Sequence, residues 1–262
     1  MSVDSLLVAP VAEPVSVTEA KAHCNITASG DDTLVADLIA SARRQVETRC
    51  RRALVRQQRK LTLDGFCGHI VLPVTPLRAV QSIQYLDAGG TLQTLSSAVY
   101  RVNKTEPPTI TLEYGQSWPT VRDVTGAVIV KYTAGHVVPI DSFDASADTL
   151  TAAGHDLAAD DPVQLSGTTL PGGTSAAATY YVKSPTADTL QLSATEGGAA
   201  LNLTAATLSA AFIGRLEPEI KHAILLLVGH AYEHREAAGD FPVHEIPLGV
   251  ERLLAPWRVI GF

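Results

Sequence analysis

Near the C-terminal end of the chain, three residues have the types and spacing of a metal site. His230, Glu233 and His234 spell H-x-x-E-H within ILLLVGHAYEHREAAGD, residues 224–240. That is the spacing of the inverted zinc-peptidase motif. On a helix the two imidazoles stand one turn apart on one face, where both could reach a single metal, with Glu233 as the base. Catalytic zinc also needs a third protein ligand and an open position for water. After His234 the candidates are Glu236, His244, Glu245 and Glu251, none in a recognisable ligand context. A half-buried helix edge, with each histidine paired to a carboxylate or a carbonyl, accounts for the same residues more simply. A zinc-dependent hydrolase built on His230, Glu233 and His234 stands as the alternative, and the main reading has no metal, no cofactor and no catalytic residue.

No other pattern points to an enzyme. The chain has no G-x-S-x-G, no P-loop and no G-x-G-x-x-G after a strand. Adjacent carboxylates at Asp31-Asp32 and Asp160-Asp161 stand where helix starts and turns explain them. Cys24, Cys50 and Cys67 form no C-x-x-C pair and read as reduced thiols. The opening MSVDSLLVAPVAEP has no basic start and only a brief apolar patch, so it does not read as a signal peptide. The longest apolar run, Ala223–Gly229, is far too short to cross a membrane.

Charge is unevenly placed. The chain carries −7 overall, yet residues 43–60 hold eight basic side chains against Glu47, a local +7 that leaves −14 for the rest. An acidic chain is a poor general nucleic-acid binder. The strip of Arg43, Arg44, Arg49, Arg51, Arg52, Arg56, Arg59 and Lys60 reads either as a contact for an acidic partner or as a solvated helix face.

The elements that would position these residues can be read in order. Ser16 and Glu19 fit a capping box opening a short helix to about Cys24. Asp31 and Asp32 start a second helix, whose apolar residues Leu34, Val35, Leu38, Ile39, Ala42 and Val46 recur at three- and four-residue steps to about Arg52. Short segments rich in Val, Ile, Thr and Tyr follow, from KLTLDGF to AVIVKYTAG, and predict an antiparallel β-region. Residues 140–213 change character: eight acids stand against Lys183 alone, and PVQLSG, TYYVKS and DTLQLSAT alternate like strands. The tetrapeptide Ala-Asp-Thr-Leu occurs at 147–150 and 187–190 and marks two strand onsets. Pro218 and its flanking acids announce a strong helix ending near Gly239. Leu225 and Leu226 widen its apolar face, which implies cover on more than one side. A last helix, about Leu248–Leu254, stops at Pro256, and an apolar tail of Trp257, Arg258, Val259, Ile260, Gly261 and Phe262 follows.

The expected fold class is therefore α+β: a helical core, an antiparallel β-region and an inserted all-β module. The expected domains are a core of 1–139 with 214–262, and the insert at 140–213.

The ordered segments VTEAKAHCNI, DDTLVADLIASARRQVETRCRRAL, LTLDGF, IVLPVTPLRAVQSIQYLDAGG, WPTVR, AVIVKYTAG, IKHAILLLVGHAYEHREA and IPLGVERLLAPWR resemble the head–tail connector (adaptor, or head-completion) proteins of long-tailed bacteriophages. The likeness covers most of residues 15–136 and 216–258 and rests on the ordered set. The insert at 140–213 departs from the family pattern and is similar to small β-modules of other virion proteins, so a surface-binding role is the alternative to a spacer. In that family the position matching His234 is often Asn, which argues against a metal ligand. The resemblance implies a homo-oligomeric ring, commonly a dodecamer, in the virion neck. It would be made in the host cytoplasm, without a membrane partner, between the portal protein and a tail-side neck or tail terminator protein. Genomic DNA would pass through the lumen without specific binding. Partner-contact candidates are Arg43, Arg44, Arg51, Arg52, Trp257, Arg258, Val259, Ile260 and Phe262.

Overall fold

A computed structural model of the chain describes residues 2–167, 169–176, 178–204, 211–214, 216–234 and 248–259. The fold is mixed α+β, and the chain divides into two compact units.

One unit holds residues 2–10, 51–136 and, of the chain's end, the described Val259. It contains strands β1 (Ser2–Val8), β2 (Gln57–Leu63), β3 (His69–Val71), β4 (Leu77–Leu86), β5 (Leu92–Thr94), β6 (Tyr100–Asn103), β7 (Thr109–Leu112) and β8 (Val128–Ala134). Five of them make a sheet in the order β1-β2-β8-β4-β5, and β3-β7-β6 make a second, three-stranded sheet. Every pairing is antiparallel. The β-branched and aromatic residues predict this: in β8, Val128, Val130, Tyr132 and Ala134 alternate inward. They share a core with Leu61, Leu77 and Ile83 of their own sheet and with Ile70 and Ile110 of the other. Gly135, just past β8, is required by space, because a Cβ there would lie 2.4 Å from the Arg56 Cα. The Arg78 side chain closes the same strand end, donating to the carbonyls of Gly135 and His136 at 2.8 Å each.

Strand β1 is an element the sequence pattern does not announce. Asp4 anchors it from within the sheet. Its carboxylate accepts from the fully buried Tyr132 hydroxyl at 2.7 Å and from Arg59 Nε at 2.8 Å. One acid thus ties together β1, β2 and β8, and it satisfies a hydroxyl that would otherwise be stranded in the core.

The other unit holds residues 11–50 and the described part of 137–258. Its helices are α1 (Val17–His23), α2 (Asp32–Cys50), α3 (Pro218–Glu233) and α4 (Leu248–Leu254). Local signals set their ends. Ser16 caps α1 by accepting from the Glu19 N–H at 3.2 Å, and Pro218 opens α3 in its first turn. Val35, Ile39, Ala42, Val46 and Cys50 form the buried stripe of α2. It packs against α3, whose buried residues are Ile220, Ala223, Ile224, Leu227 and Val228. The Tyr232 hydroxyl donates to Asp31 at 2.5 Å and ties the end of α3 to the start of α2. Leu225 and Leu226 are only half-buried, so the second apolar side of α3 is incompletely covered by the chain itself.

Strands β9 (Val138–Pro139), β10 (Ser142–Asp144), β11 (Thr149–Thr151), β12 (Pro162–Ser166), β13 (Thr179–Lys183), β14 (Thr189–Ser193) and β15 (Phe212–Ile213) form one sheet, ordered β10-β11-β14-β13-β12-β15-β9. Its core includes Leu150, Leu165, Val182, Leu190, Leu192 and Leu203. Both Ala-Asp-Thr-Leu repeats start strands, and those strands pair, with Leu150 opposite Leu190. The entering strand β9 and the leaving strand β15 lie side by side, Val138 opposite Ile213.

Candidate functional site

The H-x-x-E-H motif lies at the end of α3. His230 is in the last turn, Glu233 is the final helical residue and is exposed, and His234 is the C-cap with φ −108° and ψ 64°. The rings of His230 and His234 are 4.6 Å apart. His234 Nδ1 lies 3.0 Å from the His230 carbonyl oxygen, and its backbone N–H donates to the same oxygen at 3.1 Å. His234 is thus carbonyl-paired as the simpler reading expects, but it is exposed and not half-buried, and the contact shown for the His230 ring is with the His234 ring. Glu251 is taken up by Arg49 at 3.2 Å and by Arg258. Glu236, His244 and Glu245 lie outside the described residues. Among the described residues no three His, Cys, Asp or Glu side chains converge on a point where a metal could bind. Burial, and secondly the charge of Glu233, push the Cys24 thiol up from its ordinary value, which disfavours the thiolate form a nucleophile needs.

Residues 43–50 of the basic strip belong to one unit and 51–60 to the other, and within each unit much of its charge is neutralised. Arg43 is 5% exposed. It donates through Nε and Nη2 to Glu13 at 2.7 and 3.1 Å, and through Nη1 to Glu47 at 2.7 Å. These carboxylates hold the guanidinium above its ordinary pKa despite the opposing effect of burial. Arg49 pairs with Glu251, Arg52 makes a two-pronged bond to Glu106 at 2.6 and 2.5 Å, and Arg59 pairs with Asp4. Arg44 and Arg51 are the strip's exposed members. In the tail, Trp257 closes a short turn after α4 and is half-buried, Arg258 is exposed and reaches Glu251, and Val259 is half-buried. Ile260 and Phe262 lie outside the described residues.

Surface that the sequence reading passed over lies on β1. Val3, Leu6, Leu7 and Val8 are 46–49% exposed. The available signal was the consecutive run Leu6-Leu7-Val8, which the two faces of a strand cannot both bury against one core.

The matched segment is one already described: α1, α2, and the strands from β2 to near the end of β4. Residues 14–85 match the family of phage gp6-like head-tail connector proteins. This bears out, over that stretch, the resemblance carried by the ordered motifs. Likeness to solved structures extends over the whole chain. A protein in the virion of a native gene transfer agent particle is 16% identical, with 99% of this chain and 96% of that chain covered and a TM-score of 0.58. A protein in the neck of an empty gene transfer agent particle, computed with C6 symmetry, is also 16% identical, with 99% and 97% covered and a TM-score of 0.58. One in the neck of a native particle, computed with C12 symmetry, is 17% identical, with 100% and 97% covered and a TM-score of 0.55. At these identities the likeness is one of fold. No curated protein matches the chain.

Proposed function

We propose that this chain is a structural protein of a phage-like virion, a connector that assembles as a ring in the neck between portal and tail. The observation that carries this reading is the gp6-like connector match over residues 14–85, joined to a whole-chain fold likeness to proteins of particle necks. One such neck was computed with C12 symmetry and another with C6, and the C12 case supports a dodecamer. The partners are further copies of the chain, a portal protein above and a tail-side neck or terminator protein below. No described helix is long and apolar enough to cross a membrane.

Charge supports a lumen that lets DNA pass. Binding to duplex DNA is dominated by cations that neutralise phosphates. Here the chain is −7 overall, and Arg43, Arg49, Arg52 and Arg59 are already paired with carboxylates. Arg44 and Arg51 remain for an acidic partner surface, and the tail from Trp257 to Phe262 for an apolar one. The 140–213 segment is read as an inserted module within the unit that also holds residues 11–50: it supplies all but Val138 of one buried core cluster, and it is entered and left through neighbouring strands.

Particles produced without this chain test the reading. DNA-filled heads lacking tails are the expected product, restored by supplying the chain in trans. Normal tailed particles in its absence contradict it.

A further inference from the structure

One face of the five-stranded sheet carries a like-charge pair. Lys60 of β2 and Lys131 of β8 stand directly opposite each other. Ser5 flanks the first and Ser82 the second, so the row across β1-β2-β8-β4 reads Ser5-Lys60-Lys131-Ser82. Their chain neighbours Leu61 and Val130 belong to the core, so by strand alternation both lysines point away from it. The rows on either side, Thr62-Ile129-Gln84 and Gln58-Thr133, hold no charge. Both lysines are half-buried, and neither has an ion pair among the described residues. Like charges placed opposite each other destabilise a sheet, and an anion from outside the chain would offset that cost.

Uncompensated charge of the opposite sign lies on the 140–213 segment. Its eight acids stand against Lys183, whose ammonium group donates to the Gly198 carbonyl at 2.6 Å. Among the described residues no cation pairs with any of the eight. Six of them accept from backbone N–H groups, which holds the carboxylates in place without neutralising them. Asp141 and Asp188 stand side by side. Both are exposed, and they accept from the consecutive N–H groups of Ala153 and Gly154 at 3.2 and 2.9 Å.

We propose that the Lys60–Lys131 pair of one copy takes the Asp141–Asp188 pair of a second copy. The chain itself supplies both halves: two adjacent ammonium groups and two adjacent carboxylates, each without a counter-charge. Patches of opposite sign steer encounter, fix register and exclude wrong partners. A nucleic acid is the other polyanion that would suit the lysines, but the eight acids of the 140–213 segment repel it. Two different patches that meet make a heterologous contact, which repeats from copy to copy. The contact gives the inserted segment a part in self-assembly. It goes beyond the neck reading and needs neither a portal nor a tail partner.

The test mixes the full chain with the same chain labelled with a heavy isotope and adds a carbodiimide, which joins a lysine amine to a carboxylate in contact with it. Linked peptides that pair Lys60 or Lys131 with Asp141 or Asp188 are expected, and peptides of mixed isotope show that two copies supplied them. Lys60→Gln with Lys131→Gln should lower the self-association constant about tenfold at low salt and less at high salt, read by sedimentation equilibrium. Asp141→Asn with Asp188→Asn removes the charge and keeps an acceptor for each backbone N–H. It should cost as much, and the quadruple variant no more. Additive losses overturn the proposal. So do links within one isotope only, lysine links confined to other acids, or no link at all. Lysines shielded from the reagent by duplex DNA, with no mixed link, make nucleic acid the occupant and overturn it too. The neck reading fails separately, if the chain is missing from necks.

Discussion

Arg43 is the member of the basic strip whose loss the structure predicts most firmly to damage the fold and not an interface. It is 5% exposed and bonded to two carboxylates, with side-chain exposures of 28% for Glu13 and 12% for Glu47. Arg43→Ala removes three charge-assisted hydrogen bonds and leaves both acids largely out of water. Removing one partner of a buried ion pair costs about 3–5 kcal/mol. The partial exposure of Glu13 lowers that to about 2–4 kcal/mol, or a fall in Tm of about 5–15 °C. The assay is urea or thermal unfolding followed by helix ellipticity, because the described α-helices all belong to the unit that contains Arg43. Arg44→Ala, one position along and exposed, is the control and should stay within about 0.5 kcal/mol of the parent. Pairing Arg43→Met with Glu13→Gln and Glu47→Gln should recover most of the loss, since no unpaired buried charge remains. Equal effects at positions 43 and 44, or no recovery in the triple variant, would refute this reasoning.

Three further outcomes are expected. Burial, and secondly the charge of Asp4, push the Tyr132 hydroxyl well above its ordinary value. Its stabilisation is therefore complete below about pH 10 and is lost as pH rises above that, at about 1.4 kcal/mol per unit. The difference in stability between the parent and Tyr132→Phe, followed by denaturant titration from neutral to strongly alkaline pH, should shrink with that slope. Ser16→Ala removes the cap of α1 and should cost about 1 kcal/mol in helix unfolding, with Ser16→Asp close to the parent. Prolonged treatment with a chelator should leave Tm unchanged, and His230→Ala should shift neither metal content nor assembly; stoichiometric zinc lost in that variant would revive the hydrolase alternative.

What was legible in the sequence was local. Ser16 with Glu19, the acids at 31–32 and Pro218 are signals within one turn of the ends they mark, and α1, α2 and α3 start where those residues stand. The last helix spans Leu248–Leu254 as read. The strands between Gln57 and Ala134 followed from β-branched residues interrupted by turn residues. Strand β1 was not legible, because its partner β2 lies some 55 residues away (Ser5 beside Lys60), and its apolar residues do not alternate toward one core. The Arg strip was misleading for the same reason. A one-dimensional count gave +7, whereas the neutralising acids Glu13, Glu106, Asp4 and Glu251 lie 30, 54, 55 and 202 positions from their arginines. The H-x-x-E-H motif was legible as spacing only. That the helix ends at Glu233, taking His234 off the helical phase, depends on the C-cap geometry.

The central claim is that this chain is a ring component of a virion neck. Electron cryo-microscopy of necks from purified particles, averaged about the particle axis, tests it most directly. Density between portal and tail should hold this fold in about twelve copies, matching the C12 symmetry with which a neck containing a protein of similar fold was computed. A complete neck reconstruction with no copy of this fold would contradict the account.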